Sequence, residues 1–523
     1  MNISSADHSV SPPCITIPRK YNAAHDLLER NLIAGRENKI AYIDERGSYS
    51  FGDLDKKCNK VSNLLCQLGI RPEDRLVMAL TDTIDFPCVF LGAIKAGIIP
   101  IPVNTMLTTD NYKFMLQDSR ARALVVSQEL FPLFQPIIKK SKHLKHIIIS
   151  GNKGQSNLHL ATLMASSDEK FQVVDTTSND ICFWLYSSGS TGTPKGTLHV
   201  HSSLIKTAEL YAKPILGITE KDTVFSAAKL FFAYGLGNAL TFPLAVGATT
   251  VLMSERPTPQ SVFKKLVEEK PTIFYGVPTL YGALLSTKIY PEKSQLALRI
   301  CTSAGEPLPP ELGKRWKEKF EIDILDGLGS TEMLHIFLSN RPSDVRYGTT
   351  GKPVPGYKLS LVDNKKEAAI GELGDLRISG PTAAIQYWNN AVKSRETFVG
   401  EWTISGDKYS KNSLGYYVYG GRSDDMLKVS GQYVSPFEVE AALISHEAVL
   451  EAAVVGAIDK DGMMKPKAFV VLLSSCKNND LTLTLQEHVK SKLARFKYPR
   501  WIEFVQELPK TATGKIQRFK LRG

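Results

Sequence analysis

The sequence predicts an α/β fold: a large N-terminal domain of layered α/β subdomains with a β-rich subdomain, followed by a small α+β C-terminal domain. Three observations predict it. Helical stretches alternate with short apolar runs through the first part of the chain. After about residue 345, short strands and turns dominate. A chain of 523 residues is also too long for one hydrophobic core. We place the domains at residues 1–423 and 424–523.

The first part of the chain carries the alternating pattern. Amphipathic helices are predicted at Asn22–Ala34 and Phe51–Leu68. Buried strands are expected at Arg75–Leu80, Ala123–Val126 and Ile147–Ile149, and their alternation with helices predicts parallel strands. Another strand run is Ile181–Tyr186, and the pattern continues with Ala248–Met253, Ile273–Tyr275 and Ile300–Thr302. In the C-terminal domain, Ser435 followed by Pro436 and Glu438 is typical of a helix start, because Ser caps the helix and Pro suits its first turn.

Composition and charge exclude several classes of protein. The chain is 43% hydrophobic and 22% charged, as soluble globular enzymes are. Its formal net charge is +11, but no basic block is interleaved with aromatic residues, so we expect no nucleic-acid partner. The basic balance fits a surface that attracts anionic polyphosphates.

The chain shows no sign of secretion or of a membrane span. Its seven cysteines are odd in number and widely spaced, which favours reduced thiols in the cytoplasm. The polar N-terminus lacks the features of a signal peptide. The apolar run Phe86–Val103 is interrupted by Pro87, Lys95 and Pro100, so we expect no membrane span.

The strongest local signal is the segment from Ser187 to Lys195, which follows a predicted buried strand. It contains two Gly, five hydroxyl side chains and one Lys. Small residues let backbone N–H groups approach phosphate oxygens, hydroxyls add donors, and Lys adds a positive charge. The spacing is not that of a Walker A loop. A flexible Ser/Gly linker is the other interpretation, but linkers seldom follow a buried strand directly.

This segment resembles the signature loop of the adenylate-forming superfamily, which comprises acyl- and aryl-CoA ligases, adenylation domains and luciferases. The resemblance extends over nearly the whole chain, with further motifs in the family's order. It implies that the loop binds the phosphates of ATP through Ser187, Ser188, Gly189, Ser190, Thr191, Gly192, Thr193 and Lys195.

Further motifs between residues 305 and 422 complete the implied nucleotide site. By resemblance, Thr331 contacts the α-phosphate and Glu332 holds Mg²⁺, a role that suits a carboxylate. Many members have Tyr where Leu328 stands here, so we expect aliphatic packing against adenine. The implied ATP- or AMP-binding residues in this region are Gly305, Glu306, Pro307, Asp326, Gly327, Leu328, Asp407 and Arg422.

The C-terminal motifs imply a mobile domain. Lys515 resembles the catalytic lysine that reaches the substrate carboxylate and the α-phosphate, and Asp424 resembles the hinge residue. After rotation, the segment with Lys428, Ser430 and Gly431 is expected near the CoA thiol, with Lys428 among the catalytic residues and the other two binding CoA.

The acid pocket resembles that of benzoate-CoA ligases. The matching segments are Lys229–Gly237, Ser303–Glu306 and Ser330–Phe337. They imply a pocket lined by Ala233, Tyr234, Ala304, Leu334, His335 and Ile336. Apolar side chains and a Tyr ring suit a flat aromatic acid. His335 is expected to hydrogen-bond the carboxylate of the acid. Without the matching segment around it, His335 would instead be interpreted as a buried core histidine.

These features predict an ATP-dependent ligase that joins benzoate, or a small substituted benzoate, to CoA through an acyl-adenylate. The implied small molecules are ATP, Mg²⁺, CoA and the acid, and we expect a monomer or a homodimer. One alternative is a free-standing adenylation enzyme that loads a carrier protein. A second is a catalytically inactive homologue, which the intact Lys195, Glu332, Asp407, Arg422 and Lys515 disfavour.

Overall fold

A computed structural model gives the fold. It describes residues 1–151, 158–187, 194–423, 425–429, 432–460, 462–473, 481–510 and 516–522, and for residues 428, 432 and 433 the backbone alone. Within this part of the chain, no helix is both long and apolar enough to cross a membrane. The cysteines described, which are six of the seven, form no disulfide.

A nine-stranded sheet forms the centre of the N-terminal region. Its six inner strands are parallel to one another, and antiparallel strands close both edges. The strands, in order across the sheet, are Lys352–Pro353, Ile336–Ser339, Ile324–Gly329, Ile300–Ser303, Ile273–Gly276, Thr223–Ser226, Thr249–Val251, Ile40–Asp44 and Gly47–Ser50. The predicted α/β class is therefore confirmed, and the strands predicted at Ala248–Met253, Ile273–Tyr275 and Ile300–Thr302 lie in the parallel part.

A second parallel sheet has four strands. They follow the order Ile99–Pro102, Arg75–Ala79, Ala123–Ser127 and His146–Ser150. All three pairings are parallel, as the alternation of strands and helices predicts.

One predicted strand lies in a different setting. Ile181–Ser187 pairs antiparallel with Lys195–Val200, which in turn pairs antiparallel with Gln386–Tyr387. The strand itself was predicted, but the direction of its neighbours was not. Only residues 188–194 separate the first two strands, and a connection that short joins antiparallel neighbours, whereas parallel neighbours need a long crossover.

Helices cover the sheets of the N-terminal region. The helix Ala23–Ile33 begins after Asn22, whose side chain accepts from two backbone N–H groups, and Phe51–Gln67 begins with a capping box at Ser50. Both agree with the predicted ranges to within one residue at each end. The other α-helices are Asp85–Lys95, Thr109–Ser119, Phe131–Ile138, Leu160–Ala165, His201–Thr207, Ala233–Leu236, Phe242–Val246, Pro259–Glu268, Pro278–Leu285, Pro310–Phe320 and Ala391–Thr397.

The predicted β-rich subdomain is an antiparallel sheet. Its strands are Lys366–Glu367, Lys358–Asp363, Gly374–Ser379, Trp402–Lys411, Phe398–Val399 and Tyr417–Arg422. The last strand pairs with Trp402–Lys411 and ends beside the proposed domain boundary. A separate two-stranded hairpin, Ser5–Asp7 with Cys14–Thr16, lies near the N-terminus.

The C-terminal region has its own α+β layers and its own core. Strands Val449–Ile458, Met464–Leu472 and Trp501–Phe504 form one sheet, and Leu427–Val429 pairs with Gln432–Val434. The helices Pro436–Ile444 and Leu481–Lys492 accompany them, and Ser435 caps the first as predicted. Two clusters of buried side chains draw only on residues from 427 onward. This separate core supports our division after residue 423, which remains a proposal.

Candidate active site

One cavity of about 2410 Å³ lies between the N-terminal and C-terminal regions. The structure brings twelve of the predicted nucleotide-site residues to its walls, although they come from strands and loops far apart in the sequence. They are Ser187, Lys195, Gly305, Glu306, Pro307, Asp326, Gly327, Leu328, Thr331, Glu332, Asp407 and Arg422.

Other predicted residues lie outside the described part of the chain. They are Ser188, Gly189, Ser190, Thr191, Gly192, Thr193, Asp424, Ser430, Gly431 and Lys515, together with the side chain of Lys428. Their roles in binding phosphate, turning the domain, binding CoA and catalysis remain predictions.

Glu332 is held by two hydroxyl donors at the mouth of the phosphate loop. Tyr387 donates to its Oε1 at 2.8 Å and Ser187 donates to the same oxygen at 3.3 Å. Both bonds end on Oε1, so among the described residues Oε2 has no donor and can bind a cation. Sequence analysis missed Tyr387, which is brought here because its short strand pairs with Lys195–Val200.

Lys195 lies beside this carboxylate. Its ammonium nitrogen is 4.6 Å from the centre of the Tyr387 ring, a cation–π contact. Burial lowers the pKa of Lys195, and the negative charge of Glu332 opposes that change. The half-buried ammonium thus faces one carboxylate and one ring, and a phosphate oxygen would be a better-matched partner for it.

His199 supports the segment that carries Thr331. Its Nε2–H donates to the Thr331 carbonyl at 2.8 Å, and its ring stacks on Phe183 with centroids 5.4 Å apart. The side chain is fully buried, and burial lowers its pKa to about 4. His199 is therefore neutral at pH 7 and acts in packing.

Asp407 and Arg422 pair across two antiparallel strands. They are directly opposite in the register, and Nη1 of Arg422 lies 3.2 Å from Oδ1 of Asp407. The same nitrogen donates to the carbonyl of Ser405. Gly406, which precedes Asp407, has φ of +75°, and a β-carbon there would lie 3.0 Å from the Arg422 side chain. The pair presents a carboxylate and a guanidinium to the cavity, as ribose hydroxyls and phosphate require.

Asp326 is more deeply buried than this pair and lies within the strand Ile324–Gly329. Burial raises its pKa well above the usual value, while backbone N–H groups of Leu308 and Gly327 act in the opposite direction. Its Oδ1 has no partner among the described residues. Asp326 lines the cavity, and its raised pKa favours the protonated carboxyl group, which offers hydrogen bonds more than a full negative charge.

The C-terminal region contacts the loop of Gly305, Glu306 and Pro307 directly. The backbone N–H of Ile516, the residue after Lys515, donates to Oε1 of Glu306 at 3.2 Å. Two residues later, Arg518 forms two hydrogen bonds to Glu440, at 3.0 and 2.6 Å. After Lys515, Ile516 is thus bonded to the cavity wall at Glu306, and Arg518 is bonded to Glu440 of the C-terminal region.

The predicted acid-pocket residues lie behind this cavity, beside Leu328 and Gly329. Ala304, Leu334, His335 and Ile336 are almost fully buried, whereas Tyr234 is partly exposed. The Tyr234 and His335 rings are 5.6 Å apart, and Phe242 packs edge-on to His335 at 4.5 Å. The sixth residue, also partly exposed, is Ala233. The structure therefore brings the central pair together among apolar and aromatic neighbours.

The hydrogen bonding of His335 limits its chemistry. Its Nε2 lies 3.2 Å from the Tyr234 carbonyl, so this nitrogen carries the proton. Burial lowers the pKa of His335 to about 3, which keeps the ring neutral. Its Nδ1 has no partner among the described residues and is then an acceptor. A carboxylate needs a donor, so this arrangement does not supply the hydrogen bond that we expected from His335.

Comparison with known proteins identifies the family. The profile described as "AMP-binding enzyme" matches residues 28–388, which is more than half of the chain. The chain belongs to the AMP-binding enzyme family. The profile of the family's C-terminal domain, "AMP-binding enzyme C-terminal domain", matches residues 438–515.

Full-length relatives narrow the comparison within the AMP-binding enzymes. The chain is 60% identical to a benzoate–CoA ligase of Thauera aromatica over 99% of both chains. It is 49% identical to a 4-hydroxybenzoate–CoA/benzoate–CoA ligase of Rhodopseudomonas palustris, covering 96% of this chain and 94% of that one.

Two solved structures with a similar fold are also ligases that join an aromatic acid to CoA. A benzoate CoA ligase from Burkholderia xenovorans superposes with a TM-score of 0.91 at 51% identity, covering 96% of this chain and 100% of that one. The anthranilate CoA ligase AuaEII, solved with anthranoyl-AMP, gives a TM-score of 0.93 at 43% identity over 97% of both chains.

Proposed function

We propose that this enzyme joins benzoate, or a small substituted benzoate, to CoA through an acyl-adenylate, releasing AMP and pyrophosphate. The observation that carries the proposal is the single cavity wall shared by Lys195, Glu332 and the Asp407–Arg422 pair. Its charges match the phosphates and the ribose of ATP, and the aromatic pocket of Tyr234 adjoins it.

The first half-reaction brings two anions together. A carboxylate oxygen of the acid attacks the α-phosphorus of ATP, and the bond to pyrophosphate breaks. Catalysis of this step depends on positioning and on neutralising negative charge. We assign the neutralisation to Lys195, Arg422 and Lys515, and the contact with the α-phosphate to Thr331.

Mg²⁺ fits the carboxylate of Glu332. Its Oε1 is fixed by Tyr387 and Ser187, and its Oε2 is open to a ligand. Among the described residues, no group of three or more His, Cys, Asp or Glu side chains is arranged to hold a metal. A cation here would therefore take most of its ligands from phosphate oxygens and water, as Mg²⁺ does. When bound, it would neutralise phosphate charge.

The second half-reaction requires a different arrangement of the C-terminal domain. The CoA thiolate attacks the carbonyl carbon of the acyl-adenylate, and AMP leaves. We propose that the domain turns about Asp424, withdraws Lys515 and presents Lys428, Ser430 and Gly431 to the CoA arm.

Two considerations support an aromatic acid and CoA as the acceptor. The names of the relatives at 60% and 49% identity both state an aromatic acid and CoA. The pocket is built from rings and short apolar side chains, which suit a flat ring. One methyl group changes selectivity in such a pocket by only about 1–3 kcal/mol, so several substituted benzoates are expected to react.

We further propose that the enzyme acts in the cytoplasm, as a monomer or a homodimer. The proposal rests on its small-molecule partners, because ATP and CoA are drawn from the pools inside the cell, and on its cysteines, which suit a reducing compartment.

AMP release by the purified enzyme tests the proposed function. With ATP, Mg²⁺ and CoA, we expect turnover with benzoate and hydroxybenzoates that exceeds turnover with cinnamate or hexanoate. Glu332→Gln is the matched control, because it keeps the size of the Glu332 side chain and removes the negative charge that we assign to Mg²⁺ binding. Turnover restricted to aliphatic or extended acids would contradict the aromatic pocket, and turnover independent of CoA would contradict the ligase.

A further inference from the structure

A threonine that sequence analysis did not single out holds the Tyr234 side chain. The hydroxyl of Tyr234 and Oγ1 of Thr302 are 2.5 Å apart. Thr302 lies on the strand Ile300–Ser303, in the middle of the nine-stranded sheet, and is 1% exposed. The bond therefore joins the helix Ala233–Leu236 to the parallel part of the nine-stranded sheet.

The strand neighbour of Thr302 holds the same ring from a second direction. Tyr275 is directly opposite Thr302 in the register of two parallel strands. Its ring is edge-on to that of Tyr234, with centroids 6.3 Å apart and planes at 85°. Tyr234 is thus fixed at its hydroxyl by Thr302 and along its ring by Tyr275.

The backbone of Thr302 is itself anchored. The hydroxyl of Tyr281 donates to the Thr302 carbonyl at 2.9 Å, and Tyr281 is completely buried. Because the Thr302 backbone cannot shift easily, the position of its hydroxyl determines the position of the Tyr234 hydroxyl.

Asn238 offers the Tyr234 hydroxyl an alternative partner. It lies one helical turn after Tyr234, in the π-helical turn Gly237–Thr241, and is fully buried. Its side chain lowers the pKa of Tyr234, but neither amide atom reaches hydrogen-bond geometry with any described residue. π-helical turns within α-helices are frequent at functional sites. Among the described residues, Thr302 is thus the hydrogen-bond partner of the Tyr234 hydroxyl.

We propose that Thr302 is a positioning residue for substrate selection: by holding the Tyr234 hydroxyl, it fixes the Tyr234 ring as one wall of the acid pocket. The wall then sets which ring substituents fit. Without this bond the hydroxyl end of the Tyr234 ring is no longer fixed, so the ring shifts and the shape of the pocket changes. This inference rests on the proposed function, in which Tyr234 contacts the acid.

Thr302→Val tests the proposal, because valine keeps the shape of threonine and removes its hydroxyl. The kcat/KM values of wild type and variant are measured for benzoate and for 2-, 3- and 4-methylbenzoate. We expect the ratio of at least one methylbenzoate to benzoate to change about tenfold, with a larger effect on KM than on kcat. Thr302→Ser, which restores the hydroxyl, should keep the wild-type ratios.

A double-mutant cycle separates this role from general packing. Tyr234→Phe removes the other half of the same bond, so it should change the ratios as Thr302→Val does. The double variant should match either single variant, because each has already lost the bond. Tyr234→Phe compared with wild type also serves as the test if Thr302→Val does not fold.

The outcomes distinguish the inference from the proposed function. If wild type converts benzoate but the ratios in Thr302→Val and Tyr234→Phe stay within twofold of wild type, Thr302 does not position Tyr234. Equal changes in Thr302→Ser and Thr302→Val would also overturn the role of the hydroxyl. If wild type converts no aromatic acid at all, the proposed function itself fails.

Discussion

The hydroxyl of Tyr387 donates a 2.8 Å hydrogen bond to Oε1 of Glu332, a residue 55 positions earlier in the chain. The bond orients the carboxylate that we assign to Mg²⁺ and leaves its other oxygen toward the cavity. It also places the Tyr387 ring against the ammonium of Lys195. One tyrosine thus orders the anionic and the cationic group of the phosphate site.

Tyr387→Phe should weaken the use of ATP and Mg²⁺. A hydrogen bond to a charged group contributes about 1.5–3 kcal/mol, which corresponds to roughly a 10- to 100-fold loss in kcat/KM for ATP. Higher Mg²⁺ concentrations should restore part of the rate. Tyr347→Phe is the control, because Tyr347 donates to Asp323 at the same 2.8 Å but is not among the residues that line the cavity. Equal losses in both variants would contradict the role of Tyr387.

Lys515→Ala should separate the two half-reactions. If Lys515 neutralises charge at the α-phosphate, its loss should nearly abolish formation of the acyl-adenylate and spare thioester formation from supplied benzoyl-adenylate. Each step is measured in single-turnover experiments. Lys467→Ala is the control, since Lys467 pairs with Glu503 within the C-terminal sheet. Equal loss of both steps in Lys515→Ala would oppose the assigned role.

Asp424→Pro should impair the rotation between the two steps. Proline fixes φ near −65°, so a residue that must change its backbone dihedral cannot do so. We expect one half-reaction to persist while the other slows at least tenfold. Asp424→Ala removes the same side chain but keeps backbone freedom, so it should retain both steps better. Unchanged rates in the proline variant would show that the pivot lies elsewhere.

Three buried histidines should make the protein less stable in mild acid. Burial lowers the pKa of His199 and His201 to about 4 and that of His335 to about 3, from an ordinary value of 6.5. Below pH 6.5 the unfolded chain binds protons that the folded chain does not. The free energy of unfolding should therefore fall as pH decreases toward 4, by about 1.4 kcal/mol per pH unit for each histidine. Above pH 6.5 this contribution is complete.

His201→Asn checks this pH dependence. Asn keeps an acceptor for the backbone N–H of Ala23, which donates to Nδ1 of His201 at 3.1 Å, but it does not titrate. Thermal unfolding midpoints are measured for both proteins between pH 7.5 and 4.5. The midpoint of the variant should fall less steeply with decreasing pH. Parallel curves would show that His201 is not a source of the acid sensitivity.

The fold was predictable to the extent that it depends on local patterns. Alternating helices and apolar runs predicted the parallel strands, and Ser435 with Glu438 predicted a helix start that the structure contains. The strand Ile181–Ser187 was predicted, but its antiparallel pairing was not, because its apolar run carries no sign of the direction of its neighbour.

The candidate site was predictable where a motif marks it. The motifs located Lys195, Glu332, Asp407 and Arg422, and the structure brings them to one cavity. The residues that hold these groups were not predictable. Tyr387 and Thr302 act through long-range pairing, and an isolated Tyr or Thr in a strand looks like any other.

The transfer of oxygen from acid to AMP tests the central claim most directly. Benzoate labelled with ¹⁸O in both carboxylate oxygens is incubated with enzyme, ATP, Mg²⁺ and CoA, and the AMP is analysed by mass spectrometry. If the carboxylate attacks the α-phosphorus, each AMP should carry one ¹⁸O and the benzoyl-CoA should retain the other. Unlabelled AMP, or label in pyrophosphate or phosphate, would contradict the acyl-adenylate route.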